Sequence, residues 1–587
     1  MTDGTTLWER YQKGLQYQRQ MHFDTLFPEC VRFKEGDQWP APTKKTRHMP
    51  RPVYNYIDFF IRTKKANVLN QVIKLVYSPA EGDDPAAEEG AKQYSDYAAS
   101  LWKELRQDDL NDQMADDAAT LGTGILHYYW DNDVSGGVRL PYQGALRGES
   151  LDPLTVFVAN PQLQEIQKQE WVMIAQRYTV DSVRALARSL GFDEQAAMMI
   201  APDEERAEQY DAERHEMDGE KKCTLLTMYY RKNGRVYFDR GTRSVTLIEG
   251  QSLTPGGGME GASEGLPDVE TPEPDPFEEL PQTPGMTLYP VVLMPWQLRK
   301  RCIFGIGEAQ GLIPAQKTVN FLMAMNALAV QDAGWPKMLV RENALRQPVT
   351  NEPGEIIRDY SLSGDGIKYL NPPSFSAFAA NLVDKISDMM RTVSGVSEVA
   401  SGEPFSATMA ASAIIALQNQ AKKPIEDIQR RFYRAIEQAG RIWEQFFKYY
   451  YSMPRPYKGI GPDGKEATGA FTGSDFAGVE FALEADVSIG SDYSESLAMA
   501  TLDKLFDSGN IDLDTYIELA PKTVMPFKER LRQIRETQAA MTPAIPQEPA
   551  QLPGAAAQGS QPATIREGAA PYGVELPGIP NPKTGGI

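Results

Sequence analysis

The sequence predicts an α+β chain of several domains, and three observations lead there. Long stretches with helical periodicity (54–76, 88–117, 409–451) alternate with short strand-like ones (125–130, 225–230, 479–489). The 587 residues exceed what one core usually organises, at roughly 150 residues per domain. A composition 41% hydrophobic and 10% aromatic supplies apolar material for several cores.

Taken in order, the first 130 residues read as mostly helical. Trp8 to Gln20 forms one helix, Tyr54 to Val76 a second, and Glu88 to Asp117 a third that the glycines of LGTG at 121–124 end. Strands follow at Ile125–Trp130, Thr155–Val158, Trp171–Tyr178 and Leu225–Tyr230. The last pairs with Val236–Asp239 across Lys232-Asn233-Gly234, a hairpin turn signal. A short helix spans 180–190, with Asp181 or Ser182 as its cap. Residues 250–285 are rich in Gly, Pro and Glu and read as a disordered acidic loop; a strand resumes at Leu288–Met294.

Glu308 to Asp332 is strongly helical, with Pro314 as a kink or a start point. Trp335 to Asn371 reads as a small mixed unit, and Phe375 to Val393 as a helix. Its apolar stripe runs through Phe375, Phe378, Leu382, Val383, Ile386, Met389, Met390 and Val393. A loop of small polar residues fills 394–408. A long helix from Met409 to about Tyr451 should kink at Pro424. Pro454 to Asp475 reads as a connection, Val479 to Ile489 as a strand, and 493–508 and 512–539 as helices. The tail from about Met541 is Pro-, Gly-, Ala- and Gln-rich and reads as disordered.

Charge narrows the function. Against 60 basic side chains stand 80 acidic ones, a formal charge of −20. A protein that clamps DNA by its phosphates needs a basic face, so repressors and nucleases are disfavoured, whereas a passive conduit is not. Cys30, Cys223 and Cys302 are far apart, which suggests neither disulfides nor zinc and fits a reducing cytoplasm. The N-terminus shows no signal-peptide pattern, and the most apolar stretch, Val319–Val330, is too short for a membrane span and contains Asn320 and Asn326.

Motifs for catalysis fail in turn. GIGPDGKE at 459–466 satisfies GxxxxGK through Gly459, Gly464 and Lys465. Glu466, however, stands where a P-loop needs Ser or Thr, and the reading finds neither a strand before it nor a helix after it. GIGEAQG at 305–311 places its third glycine one residue too late for GxGxxG, and reads as a turn opening a helix. His22, His48, His127 and His215 are scattered and no HExxH exists, so no metal site, cofactor or catalytic residue is expected. Acidic pairs such as Asp83-Asp84 and Asp116-Asp117 read as solvated faces in so acidic a chain.

The order of elements in 303–452 is helix, small domain, helix, small-residue loop, long helix. With the phrases FGIGEAQGLIPAQKTVNFLMAMNALA (304–329), VSGVSEVASGE (393–403) and SAIIALQNQAKKPIEDIQRRFYRAIEQAGRIW (412–443), it resembles the portal (head-to-tail connector) proteins of tailed bacteriophages. RPVYNYIDFFIRTKKANVLNQ (51–71) and AATLGTGILHYYWD (118–131) look similar too, and the likeness spans about 30–540.

The resemblance implies a portal-type subunit that assembles into a ring, a homododecamer if it follows the family. It implies a wing over 1–300, stem helices at 305–333 and 375–393, and a clip at 334–374. It further implies a tunnel loop at 394–408, a long kinked wing helix at 409–452, wing return strands at 453–490 and a crown at 491–540, ahead of the disordered tail 541–587. By the same likeness Ser397, Glu398, Ser401, Gly402 and Glu403 of the tunnel loop line a DNA channel. Lys317, Lys385 and Arg391 are sparse basic contacts from the stem, each equally readable as an ion pair or solvated surface. Trp335, Arg341, Arg346 and Arg358 of the clip would meet partners, although Trp335 reads as core at least as readily. The implied partners are other copies, double-stranded DNA, the terminase large subunit, a neck or adaptor protein, and the major capsid and scaffolding proteins. The implied place is the capsid vertex, after assembly in the host cytoplasm. A neck or baseplate protein, or a nucleotide-hydrolysing or nuclease enzyme, are the alternatives. The expected outcome for the isolated chain is ATP hydrolysis at background; turnover abolished by Lys465→Ala would restore the P-loop reading.

Overall fold

The computed structural model describes residues 5–80, 85–137, 141–203, 221–255, 285–334, 338–341, 367–369, 377–396, 411–460, 466–488, 499, 502–509 and 511–520. The chain divides into two units, Met1–Ser494 and Glu495–Ile587.

The N-terminus forms two helices where the sequence predicts one. α1 (Thr5–Gln20) and α2 (Phe23–Glu35) meet at His22, whose left-handed backbone (φ 58°) turns the chain. α2 buries Phe23, Phe27, Cys30 and Phe33 along one stripe. The expected helix 54–76 also divides. α3 (Tyr56–Val68) is capped by Asn55, whose Oδ1 accepts from Asp58 N at 3.2 Å, and Val72–Pro79 is a strand, β1. The run VIKLVYSP suits either period; an antiparallel partner at Phe481–Ser488 decides for strand, since Val72 opposes Ser488 and Pro79 opposes Phe481. Leu75 and Tyr77 then point inward. Likewise 88–117 is two helices, α4 (Pro85–Glu104) and α5 (Gln107–Leu121), broken at Arg106 (φ 51°). Gly122 (φ 103°) ends α5, as the LGTG signal predicts.

Two larger antiparallel sheets follow. β2 (Thr123–Gly136) lies between β3 (Tyr142–Leu151) and β9 (Val291–Pro295). β4 (Val156–Val158), β5 (Trp171–Thr179), β6 (Lys222–Lys232), β7 (Arg235–Gly241) and β8 (Thr246–Ser252) form the other, in sequence order. The β6–β7 turn places Asn233 (φ 50°) and Gly234 (φ 76°) in the left-handed region, the geometry its sequence predicts. Between β5 and β6 come α6 (Val180–Ser189) and α7 (Glu194–Met198). The cap of α6 is Thr179, which accepts from Ser182 N, and not Asp181 or Ser182 as expected.

β10 (Gln297–Arg299) and β11 (Cys302–Ile306) form a hairpin that leads into α8 (Glu308–Gly334). β12 (Met338–Val340) and β13 (Ile367–Tyr369) pair antiparallel, followed by α9 (Ala377–Ser394) and α10 (Ala411–Tyr450). Pro314 and Pro424 lie inside α8 and α10 without ending them. The connection expected at 454–475 is instead a hairpin, β14 (Arg455–Ile460) with β15 (Glu466–Phe471), ahead of β16 (Phe481–Ser488). A strand therefore does precede the GxxxxGK segment, contrary to the sequence reading. A second strand follows it, with Gly459 opposite Ala467, where a P-loop requires a helix. In the second unit residues 502–507 are helical, α11 spans Leu513–Leu519, and Tyr516 donates to Asp503 at 2.6 Å. Most of the acidic loop, most of the clip segment, residues 397–410 and the tail from 521 lie outside the described residues.

The main core gathers around α10. Tyr94, Tyr97, Phe447, Tyr451 and Phe471 are buried together, with Tyr97 stacked on Phe471 at 4.2 Å and the others meeting it edge-on. Their hydroxyls are satisfied where burial requires it: Tyr94 donates to Gly473 O and Tyr77 to Gly440 O, both at 2.8 Å.

One ionisable group works against this core. Burial, with help from Asp152 and Asp116, pushes the Asp117 carboxyl from 3.8 to about 7, against the opposing pull of Lys34 and the Ser150 hydroxyl. The folded chain then holds a proton that the unfolded chain has released, so stability falls as pH rises from about 4 to about 7. Asp117→Asn should therefore raise the unfolding free energy at pH 8 by roughly 1–3 kcal/mol and change it little at pH 4. Urea denaturation at both pH values checks this.

Candidate functional site: a helix pair with an uncovered apolar face

α8 is held at its base by close backbone contact. A Cβ on Gly305 would lie 2.3 Å from Gly122 O, and one on Gly307 would lie 2.5 Å from Thr120 O. The glycines of GIGEAQG thus let the β11–α8 junction touch the α5–β2 junction, and the expected turn opening a helix is what forms. The first residue of α8, Glu308, is buried. Its Oε1 accepts from Lys64 Nζ of α3 at 2.5 Å, Trp296 Nε1 at 2.9 Å and Gln297 Nε2 at 3.4 Å. A carboxylate in the first turn also meets the positive end of the helix dipole.

About two turns further on, a buried polar ladder fastens the next part of the helix. Gln316 Nε2 donates to Tyr54 O at 2.6 Å, and Tyr56 N donates to Gln316 Oε1 at 3.1 Å. Asn320 Nδ2 donates to Gln38 Oε1 at 2.6 Å, and Gln38 Nε2 donates to Asn55 Oδ1 at 3.0 Å. Nearly every amide of the ladder is paired, which makes it a stiff attachment. The sequence reading used Asn320 only to discount a membrane span. The signal it missed was Gln316 and Asn320 four residues apart on an otherwise apolar helix face.

Beyond Ala324 no described residue of α8 is buried. Phe321 is 52% exposed, Met325 41% and Val330 68%, and from 321 to 334 the only charged residue is Asp332. α9 packs on α8 and is covered only near its C-terminal end, where Met390 and Ser394 are buried. The apolar stripe of α9 is only partly covered: Leu382, Val383 and Ile386 are half-buried, but Met389 is 62% and Val393 76% exposed. The chain then turns at Gly395 (φ 71°), where a Cβ would lie 3.3 Å from Pro424 of α10, and Val396 is buried.

Lys317 lies on the attached part of α8, half-exposed, 2.7 Å from Glu29 and over the Phe33 ring. Lys385 is exposed on α9, Arg391 is half-buried there, and Arg341 is exposed directly after β12. α9 thus brings Lys385 and Arg391 onto one element, while Lys317 belongs to the body side of the partner helix. Ser397, Glu398, Ser401, Gly402, Glu403, Trp335, Arg346 and Arg358 lie outside the described residues. Among the described residues no group of His, Cys, Asp and Glu could hold a metal ion, and no helix is long and apolar enough to cross a membrane.

Among the described residues Phe321, Met325, Val330, Met389 and Val393 of this helix pair stay exposed, and exposed apolar patches mark interaction surfaces. Residues 270–570 of the chain, just over half of it, match the family model described as Phage P22-like portal protein, and the match contains the whole helix pair and α10. No curated protein matches the chain. The chain belongs to the phage P22-like portal protein family.

Proposed function

We propose that this chain is the portal subunit of a tailed phage. In this reading copies of it form a ring, a dodecamer as in the family, around a channel for double-stranded DNA at one capsid vertex. The ring serves packaging, retention and ejection of the genome, and docks the terminase large subunit, the neck or adaptor protein, and the capsid and scaffolding proteins. The family is one of structural virion proteins, and ATP hydrolysis belongs in this reading to the motor. The observation that carries the proposal is the uncovered apolar half of α8 beside α9, in a chain of this family.

In a ring each subunit shows two different faces to its neighbours, so contacts are heterologous and close by rotation. α8 is about 40 Å long at 1.5 Å per residue for 27 residues, and its second half can lie against the helices of the next copy. Phe321, Met325, Val330, Met389 and Val393 are the side chains such a neighbour would bury. Lys385 and Arg391 then supply sparse positive charge toward the channel, and the loop at 394–408, with Glu398 and Glu403 as its only charges, offers passing phosphates no firm anchor.

Electron microscopy of the purified chain should show rings with a central hole; particles without one would remove the portal reading. The double variant Phe321→Glu/Val330→Glu should leave the far-UV spectrum of the subunit unchanged but shift it from ring to monomer in light scattering. Deleting 397–408 should leave rings intact while lowering the yield of DNA-filled heads at least tenfold, and loss of the ring would instead make the segment structural.

A further inference from the structure

A cavity lies away from the helix pair, between the two larger sheets. It is an open trough of about 790 Å³, within the range of roughly 300–1,000 Å³ typical of ligand sites. Its floor is the five-stranded sheet; β2 forms one wall and α6 the other.

Two facing sheets ordinarily close on apolar side chains, but these enclose a hydrogen-bonded chain drawn from four strands. His127 Nε2 lies 3.0 Å from the Tyr229 hydroxyl and its Nδ1 2.8 Å from Glu149 Oε1. Gln176 Nε2 donates to the same Oε1 at 3.0 Å, and Tyr178 donates to Gln176 Oε1 at 3.1 Å. Folding alone has no need of such a chain, since an apolar filling would serve stability as well or better. At the mouth Tyr129, Tyr178 and Leu190 are exposed beside the half-buried Leu186, an apolar surface without cover.

Arg240 gives the trough its chemistry. Its Nε donates to Thr227 Oγ1 at 3.2 Å and its guanidinium lies 5.9 Å from the Phe238 ring. Among the described residues no carboxylate stands within ion-pair distance of it. A half-buried guanidinium with its fork open binds a carboxylate or a phosphate. Asp131, Asp133 and Glu149 line the same trough and repel a dianion more than a monoanion, which favours the carboxylate. A fatty acid would leave the spare hydrogen-bonding capacity of these wall residues unused, whereas a peptide backbone can engage it.

We propose that the trough between the two sheets binds the carboxyl-terminal end of a peptide with branched apolar side chains, its terminal carboxylate on Arg240 and its side chains against Leu186 and Leu190. This site is independent of the ring, and its test does not involve DNA.

The probe is acetyl-Ala-Leu-Leu with a free carboxylate, titrated calorimetrically into the full chain alongside the same peptide as its carboxamide. The acid should bind roughly tenfold tighter than the amide, the scale of one charge-assisted pair. Arg240→Gln should remove that difference, and Leu190→Asp, on an exposed residue, should weaken both forms. Should Arg240→Gln not fold, the difference in the unsubstituted protein must shrink as salt is raised. Equal affinity for acid and amide, an advantage that survives Arg240→Gln or is indifferent to salt, or no saturable binding up to millimolar peptide would overturn the proposal.

Discussion

The rest of the described architecture depends on a buried ion pair at the foot of α8. Glu308 and Lys64 are both almost fully buried, and taking two charges out of water is tolerable only when each is also hydrogen-bonded. Trp296 meets that condition and extends it. Its indole donates to Glu308, its backbone N donates to Gly122 O at 2.9 Å, and its carbonyl accepts from Arg431 of α10 at 2.6 Å. Thus α3, the β2–β9 sheet, α8 and α10 converge on one fully buried tryptophan. Losing either charge would strand the other, a loss of about 3–5 kcal/mol. A short charged contact also fixes direction more narrowly than apolar packing.

From that root the helix changes character along its length. Its first turns are anchored by backbone contact at Gly305 and Gly307 and its middle by the Gln316–Asn320 ladder, and α9 packs on it. Stability in the body and apolar exposure beyond it are two sides of one design. Phe321, Met325 and Val330 stay exposed, an apolar surface of the kind that interaction sites use. After α9 the chain turns at Gly395, close to Pro424 of α10, and buries Val396.

By itself the sequence determined where the helices of 308–450 begin and end to within a few residues, the β6–β7 hairpin and the Gly122 stop. Each rests on local chemistry: apolar periodicity, an Asn-Gly turn that tolerates positive φ, a glycine cap. Local pattern misled where a distant partner had the deciding vote. VIKLVYSP became a strand because Phe481–Ser488 lies beside it, and 455–471 became a hairpin although its glycines and prolines read as a connection. Only the tertiary structure decided which polar residues on α8 are attachments and which apolar ones stay exposed. It also decided that His127, Glu149, Gln176 and Tyr229 share one cavity, since hydrogen bonds between residues 22 to 102 positions apart leave no periodic trace in a sequence.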